Sequence, residues 1–411
     1  MEESKLIEEL LKLSAELRED FLEYLTDGHA ALKEKQFKHA IECFQKIIDL
    51  FPIHLGLPYL YIGIAYVNLE NYRAAINYLQ KSIEIDPDEV LAYFSMGDIY
   101  LALKDYRTAE HYYRKSTELD PTQYEAWGNL GNIAQKEKKH QDAIRYFKKA
   151  LKISPENEKI INNLGITYCE MGDYQEAILC FKKARKINPD FAKTTHLLGN
   201  AYSLLKNYDE AIRCYKKALY IDPKDHTIYF DMGTVYAELL NFDEAINCFQ
   251  KTIDIEPNYM MAIFNIGNIY LKDKKYHEAI QYFKKVLDID PENAFAHCNL
   301  GYSYFYLENY DKAIQYYKKH IDIDPEDISV YNNLGNTYCK IKEYDKAIQC
   351  FQTSINFDDN NPTAYYYLAE IHGELGDLEK KVSYHKKAAQ LGDKEAQDWL
   401  TENNYTWECN A

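Results

Sequence analysis

Apolar positions recur along the chain at helical spacing, twice in every repeating block. Between residues 291 and 325, Leu300, Tyr304 and Leu307 fall at i, i+4 and i+7, and Ala313, Ile314, Tyr317 and Ile321 share one face of a second stretch. This is the pattern of two amphipathic helices. Glu308 and Asn309 separate them, and asparagine is a favoured N-cap residue. Asp311 near the start and Lys318-Lys319 near the end of the second helix oppose its dipole, and Pro325 stops it. The block then repeats. Prolines stand at Pro87, Pro121, Pro155, Pro189, Pro223, Pro257, Pro291 and Pro325, each 34 residues after the last, and glycines keep the same step from Gly63 to Gly335. A fixed period of this length predicts an all-α array of stacked helix pairs with one continuous core. Gly301 and Ala313 are expected where the paired helices cross closely, because a larger side chain would hold them apart.

The ends depart from the pattern. Residues 1–20 carry Leu6, Leu10, Leu13 and Leu17 on one face and predict a helix that caps the array, with a dimerisation or partner helix as the alternative. The first repeat starts near Phe21, with Gly28, Ala40 and Phe44 in register and Asp27 where later repeats prefer leucine. One extra residue between Pro52 and Gly63 lengthens a turn, read as a harmless insertion rather than a hinge. In the eleventh repeat Asp359 replaces the proline, Ala369 the glycine, and Lys381 and His385 the alanine and aromatic, while Asn361-Pro362 supplies an N-cap and a first-turn proline. Gly392 is expected to end that repeat, with a short polar helix after it and a loose tail from Tyr405. The organisation expected is a cap at 1–20, eleven repeats over 21–395, and a cap and tail at 396–411.

This pattern resembles the tetratricopeptide repeat over roughly residues 21–395. The family's order of aromatic, Leu-Gly, Tyr, Ala, aromatic, Ala and Pro is met by Trp127, Leu130, Gly131, Ala143, Phe147, Ala150 and Pro155, with Ala134 in place of the tyrosine. Most other repeats keep that tyrosine, as Tyr168, Tyr202, Tyr236, Tyr270, Tyr304 and Tyr338. The resemblance implies a right-handed superhelical solenoid whose first helices line a concave groove that binds extended peptides.

Composition narrows what such a groove would hold. Lys+Arg 48 against Asp+Glu 65 gives a net charge of −17, which argues against nucleic acid as the partner. No apolar run is long enough to span a membrane, and the start lacks a basic leader. Cys43, Cys180, Cys214, Cys248 and Cys350 occupy one slot, fifteen residues after the glycine of each repeat. Equivalent slots on packed helices lie about 10 Å apart, beyond the ~7 Å that a disulfide tolerates. Reduced, buried thiols and a cytoplasmic setting are therefore expected. The chain contains no GxSxG, HExxH or GxxxxGK[ST] and no histidine pair at i, i+4. Acidic turns such as IDIDPED lack the calcium-loop glycine and ligand spacing, and Lys-Lys pairs at helix ends read as a solvated, charge-balanced face. No catalysis, cofactor or metal is expected.

The expected site is the inner face of the first helices. Two residues before the glycine or one after it stand Asn129, Asn132, Asn163, Asn200, Asn265, Asn268, Asn299, Asn333 and Asn336. A carboxamide donates and accepts at once, so a ladder of them can grip a peptide backbone whatever its side chains. This resembles the asparagine ladder in the repeat domain of O-linked N-acetylglucosamine transferase, a likeness confined to the groove. Bracing between adjacent helices is the competing role. Phe230, Phe264, Phe295, Tyr302, Phe305 and Tyr306 fall on the same face and are read as a site for partner side chains, with packing between repeats as the competing role. The slot three before the glycine, basic in clamps that hold the carboxylate tails of heat-shock chaperones, is basic in no repeat here. The function expected is a non-catalytic scaffold or adaptor for a protein or peptide partner. The alternatives are an assembly subunit that associates through convex or end surfaces, itself included, and the non-catalytic arm of an enzyme complex.

Overall fold

The computed structural model describes residues 15–50 and 55–407. The N-terminal stretch up to residue 14, the beginning of the insertion after Phe51 and the end of the tail with Cys409 lie outside the described residues. Among the described residues every regular element is a helix, 23 of them, arranged in successive pairs. Helix Ala15–Lys33 runs without a break past residue 20 into the first repeat.

The repeat grammar is local. First helices of 13 residues, such as Val90–Ala102, are followed by second helices of 14, such as Tyr106–Leu119. The turn between them holds one left-handed residue, with φ near +60° at Lys104, Lys138, Lys274 and Glu308 and glycine at Gly172 and Gly376. That conformation lets the next two amides fold back on the helix end, as in Lys104 N–H to Leu101 O at 3.0 Å and Asp105 N–H to Tyr100 O at 2.9 Å. Asn309 caps the second helix as expected, its Oδ1 accepting from Lys312 N–H at 3.3 Å. The acid that precedes most of the prolines serves the other turn. Asp120 Oδ1 accepts from Thr122 N–H at 2.9 Å and Asp290 Oδ1 from Glu292 N–H at 3.2 Å, which accounts for the acidic turns as Asx turns.

The glycine of most repeats answers to an aromatic ring, Gly63 to Leu79 instead. A Cβ added to Gly301 would lie 2.6 Å from Tyr317 Cε1, and one on Gly131 would lie 2.5 Å from Phe147 Cε1. Tyr317, Phe147 and Ala313 are buried. The close approach is thus between the first-helix backbone and a ring of the second helix, and Ala313 completes the buried seam. A second recurrent contact stacks tyrosines of the paired helices, Tyr100 on Tyr112 and Tyr304 on Tyr316, each at 5.5 Å between centroids.

The chain divides into two compact units, residues 1–210 and 211–411. In the first unit, helix 56–68 packs on 90–102, and 124–136 and 192–204 both pack on 158–170. In the second unit 328–340 packs on both 294–306 and 362–374. Second helices of successive repeats make no comparable contact among the described residues. Within each unit the first helices therefore form the tighter, inner layer.

The departures of repeat 11 have a physical reason. His385 is fully buried and stacks on Trp399 at 4.4 Å, while its Nε2 lies 3.1 Å from Glu370 Oε1. Lys381 Nζ lies 3.2 Å from the same oxygen and over the Trp399 ring. Helix Lys394–Glu402 covers this face, capped by Asp393 Oδ1 accepting from Ala396 N–H at 2.8 Å. The lysine and histidine meet this tryptophan where other repeats meet a following helix pair. Among the described residues no helix is long and apolar enough to cross a membrane.

Candidate peptide-binding groove

The asparagines separate into two kinds. Asn163 Nδ2–H donates to Asn132 Oδ1 at 2.8 Å, and Asn299 Nδ2–H donates to Asn268 Oδ1 at 3.1 Å. Both bonds run from two before the glycine of one repeat to one after the glycine of the preceding repeat. At the same register Asn129 Nδ2 approaches Asp98 Oδ1 at 3.5 Å, and Tyr113 O–H donates to that oxygen at 2.6 Å. Burial raises the Asp98 pKa, the Tyr113 hydrogen bond opposing the shift. Burial and the adjoining Asp98 hold the Tyr113 phenol well above its ordinary range. Asn129, Asn132, Asn163, Asn268, Asn299 and Asp98 thus link neighbouring first helices, and all six are half-buried. Asn265, Asn333 and Asn336, also half-buried, make no side-chain hydrogen bond among the described residues. Asn200 is half-buried as well.

In the second unit, the first helices of repeats 7 to 9 enclose a recess of about 750 Å3. Asn265, Asn268 and Asn299 stand on its wall with Tyr276, Tyr302 and Tyr306. Tyr306 is the hub of the rings: it stacks on Tyr276 at 5.2 Å and meets Tyr302 at 4.6 Å. Burial, and a hydrogen bond with Tyr306, push the Tyr302 phenol up to about 12, so that ring is neutral at physiological pH. The remaining aromatics lie elsewhere. Phe230 packs on Phe249 and Tyr259, Phe264 on Phe283, and Phe305 on Tyr310 and Tyr306. Phe295 is exposed. Five of the residues expected to line the groove thus converge on one recess, whereas Phe230, Phe264 and Phe305 spend their rings on packing.

The first unit holds a recess of about 860 Å3 in repeats 3 to 5, and Asn132 is on its wall. Its register is the same. Asn132, Ile133, Lys136, Lys138, Ile166 and Glu170 stand 136 residues before Asn268, Ile269, Lys272, Lys274, Tyr302 and Tyr306. His140 likewise corresponds to Tyr276, each the first residue of the second helix that follows. Sequence reasoning missed Tyr276 and His140 because only first helices were searched. The signal available was the period itself: whatever stands at one of these positions has a counterpart four repeats away.

The thiols are quiet. Burial pushes Cys169, Cys180, Cys248, Cys298, Cys339 and Cys350 up to about 11. The cysteines of the described residues are all unpaired with one another, and no cluster of three His, Cys, Asp or Glu among them could hold a metal ion.

Residues 14–220 match the Cilia and flagella-associated protein 70 C-terminal domain. Residues 190–258 and 259–326 match the tetratricopeptide repeat, and residues 316–349 and 335–376 match further models of the same repeat. No curated protein matches. Among solved structures, MamA protein is 29% identical over 42% of this chain and 93% of its own, with a TM-score of 0.38. A tetratricopeptide repeat protein from Parabacteroides merdae is 20% identical over 59% of this chain and 97% of its own, with a TM-score of 0.45. The anaphase-promoting-complex hetero-tetramer Cut9-Hcn1 is 15% identical over 95% of this chain and 97% of its own, with a TM-score of 0.43. The chain belongs to the tetratricopeptide repeat proteins and, through residues 14–220, half of its length, to the family of the Cilia and flagella-associated protein 70 C-terminal domain.

Proposed function

We propose that the chain is a non-catalytic scaffold that holds an extended segment of a partner protein along its first helices. The observation that supports this best is the recess of repeats 7 to 9, where three carboxamides and three tyrosines converge. An extended backbone presents donors and acceptors in alternation, and a carboxamide can meet either. The neutral rings offer a desolvated seat for one partner side chain. Bracing does not compete with this role. The Asn299–Asn268 bond consumes one amide hydrogen and one acceptor site, and each side chain retains others for a ligand.

Asn265 and Asn333 give a clean test because neither holds a side-chain bond in the fold. The variant Asn265→Ala/Asn333→Ala is expected to keep the helicity and melting temperature of the parent while losing most of its capture of a cross-linked partner. Undiminished capture would refute groove binding. The matched family is named for a protein associated with cilia and flagella, so a ciliary or flagellar extract is the first source in which to seek the partner.

A further inference from the structure

The recess of repeats 3 to 5 has a chemistry that the rest of the chain does not predict. Leu101, Ile133 and Ile166 give it an apolar floor, and Lys104, Lys136 and Lys138 stand on its rim. The three lysines are exposed, and none has a carboxylate within ion-pair distance among the described residues. Lysines of neighbouring turns are matched instead, Lys139 to Glu137 and Lys275 to Asp273, each at 2.7 Å. The one acid of the recess, Glu170, is engaged from within. Gln135 Nε2–H donates to its Oε2 at 3.2 Å. His140 Nδ1 lies 3.4 Å from the same oxygen, in ion-pair range but out of hydrogen-bond alignment. A chain of net charge −17 therefore keeps a positively charged rim around an apolar seat.

The fold does not require this arrangement. At the same register in repeats 7 to 9, Lys272 and Lys274 keep two of the rim lysines, but Leu240 replaces Lys104 and Glu238 replaces Ala102, while Leu271 stands for Gln135, Tyr302 for Ile166 and Tyr306 for Glu170. The helix pairs are built alike in both places, so the difference belongs to what enters the recess. An extended strand advances about 3.3 Å per residue with side chains alternating in direction. One residue can then insert while its neighbours run along the rim.

We propose that the recess of repeats 3 to 5 receives an aliphatic side chain of an acidic partner segment, the flanking aspartates or glutamates being held by Lys104, Lys136 and Lys138. This rests on the groove reading and names the partner chemistry at one part of it. Because the lysines are exposed, each ion pair contributes little alone and is screened by salt; three acting together give about tenfold.

The test uses the full chain and three fluorescent nonapeptides, each with a central leucine flanked by glutamates, glutamines or lysines, titrated by anisotropy. The glutamate peptide is expected to bind about tenfold tighter than the glutamine peptide at low salt, and this advantage should vanish at about 0.5 M salt. Lys104→Glu/Lys136→Glu/Lys138→Glu should reverse the order in favour of the lysine peptide. Undetectable binding of the glutamate peptide, equal affinity for the glutamate and glutamine peptides, or an unaltered order in the triple variant overturns the proposal. Asn132→Ala/Asn163→Ala separates the two readings. It should weaken all three peptides alike if first-helix asparagines hold the backbone. If every affinity stays unchanged, the groove reading fails whatever the charge order shows.

Discussion

Whether the paired asparagines brace the stack is decided by a double-mutant cycle on Asn132 and Asn163. The 2.8 Å bond between them joins repeats 4 and 5, and both side chains are half-buried. A hydrogen bond of this kind contributes about 0.5–1.5 kcal/mol net. The abandoned partner keeps access to water, so no further desolvation cost is expected. Asn132→Ala and Asn163→Ala should each cost about 1 kcal/mol. The double variant should cost scarcely more than either, because the bond can be lost only once, leaving a coupling of about 1 kcal/mol. The control cycle is Asn333 with Asn336, which share repeat 10 and no bond. There each change should stay within about 0.5 kcal/mol and the pair should add within ~0.3–0.5 kcal/mol. Urea unfolding followed by far-ultraviolet circular dichroism measures the parent and the six variants. Additive costs at Asn132/Asn163, or a coupling of the same size at Asn333/Asn336, would refute the division into bracing and unengaged asparagines.

Three further outcomes follow from the fold. Leu240 is exposed yet held at φ 59°, a conformation that costs an L-residue about 1–2 kcal/mol. Leu240→Gly should raise the melting temperature, by something under the full relief because glycine loses more entropy on folding; a lower value would refute the turn geometry. Burial raises the Asp98 pKa, so its contribution to stability is largest at low pH and is lost as pH rises through the folded-state value. Asp98→Asn should therefore be stabilised relative to the parent at neutral pH, with the difference shrinking on acidification below that value, measured by melting across pH. A difference that grows on acidification would contradict the burial of Asp98. The six thiols pushed up to about 11 by burial should react with Ellman's reagent at pH 8 only after unfolding, tested in a Cys409→Ser background; fast native reaction would refute their burial.

The repeat itself was legible because it is written redundantly. Gly301, Tyr317, Ala313 and Pro325 each recur at one step, and any one copy could be misread without losing the pattern. The site was legible only in part. The face of the first helix follows from register, which is why Asn265, Asn268, Asn299, Tyr302 and Tyr306 were found and do meet in one recess. What register cannot give is how far a side chain reaches beyond its own helix. Phe264 and Tyr302 both face inward by spacing, yet Phe264 finds Phe283 5.5 Å away while Tyr302 turns to Tyr306. The left-handed turn residues were invisible for a different reason. Lysine and leucine carry no preference for that conformation, so Lys104, Lys138 and Leu240 gave no sign of it. The bracing bonds span 31 residues and join positions that no single repeat contains, so only the stacked structure exhibits them.

If the two recesses bind as proposed, the positions at which they differ would carry the specificity of the array. Their walls share the residues that hold the helix pairs together: Asn132 and Asn268 in the bracing bonds, Ile133 and Ile269 in the core, Lys136 and Lys272 at the helix end. They differ at Gln135, Ile166 and Glu170 against Leu271, Tyr302 and Tyr306, positions that line the recesses and supply neither the glycine nor the aromatic ring of a seam. Substitution there leaves the stacking intact, because each repeat is held by its own seam and by its immediate neighbours. The constraint that makes the fold repeat is thus the same constraint that frees these positions to diverge. On the proposed reading, recognition is set recess by recess, by three lysines over an aliphatic floor in one unit and by a tyrosine cluster with two lysines and Glu238 in the other.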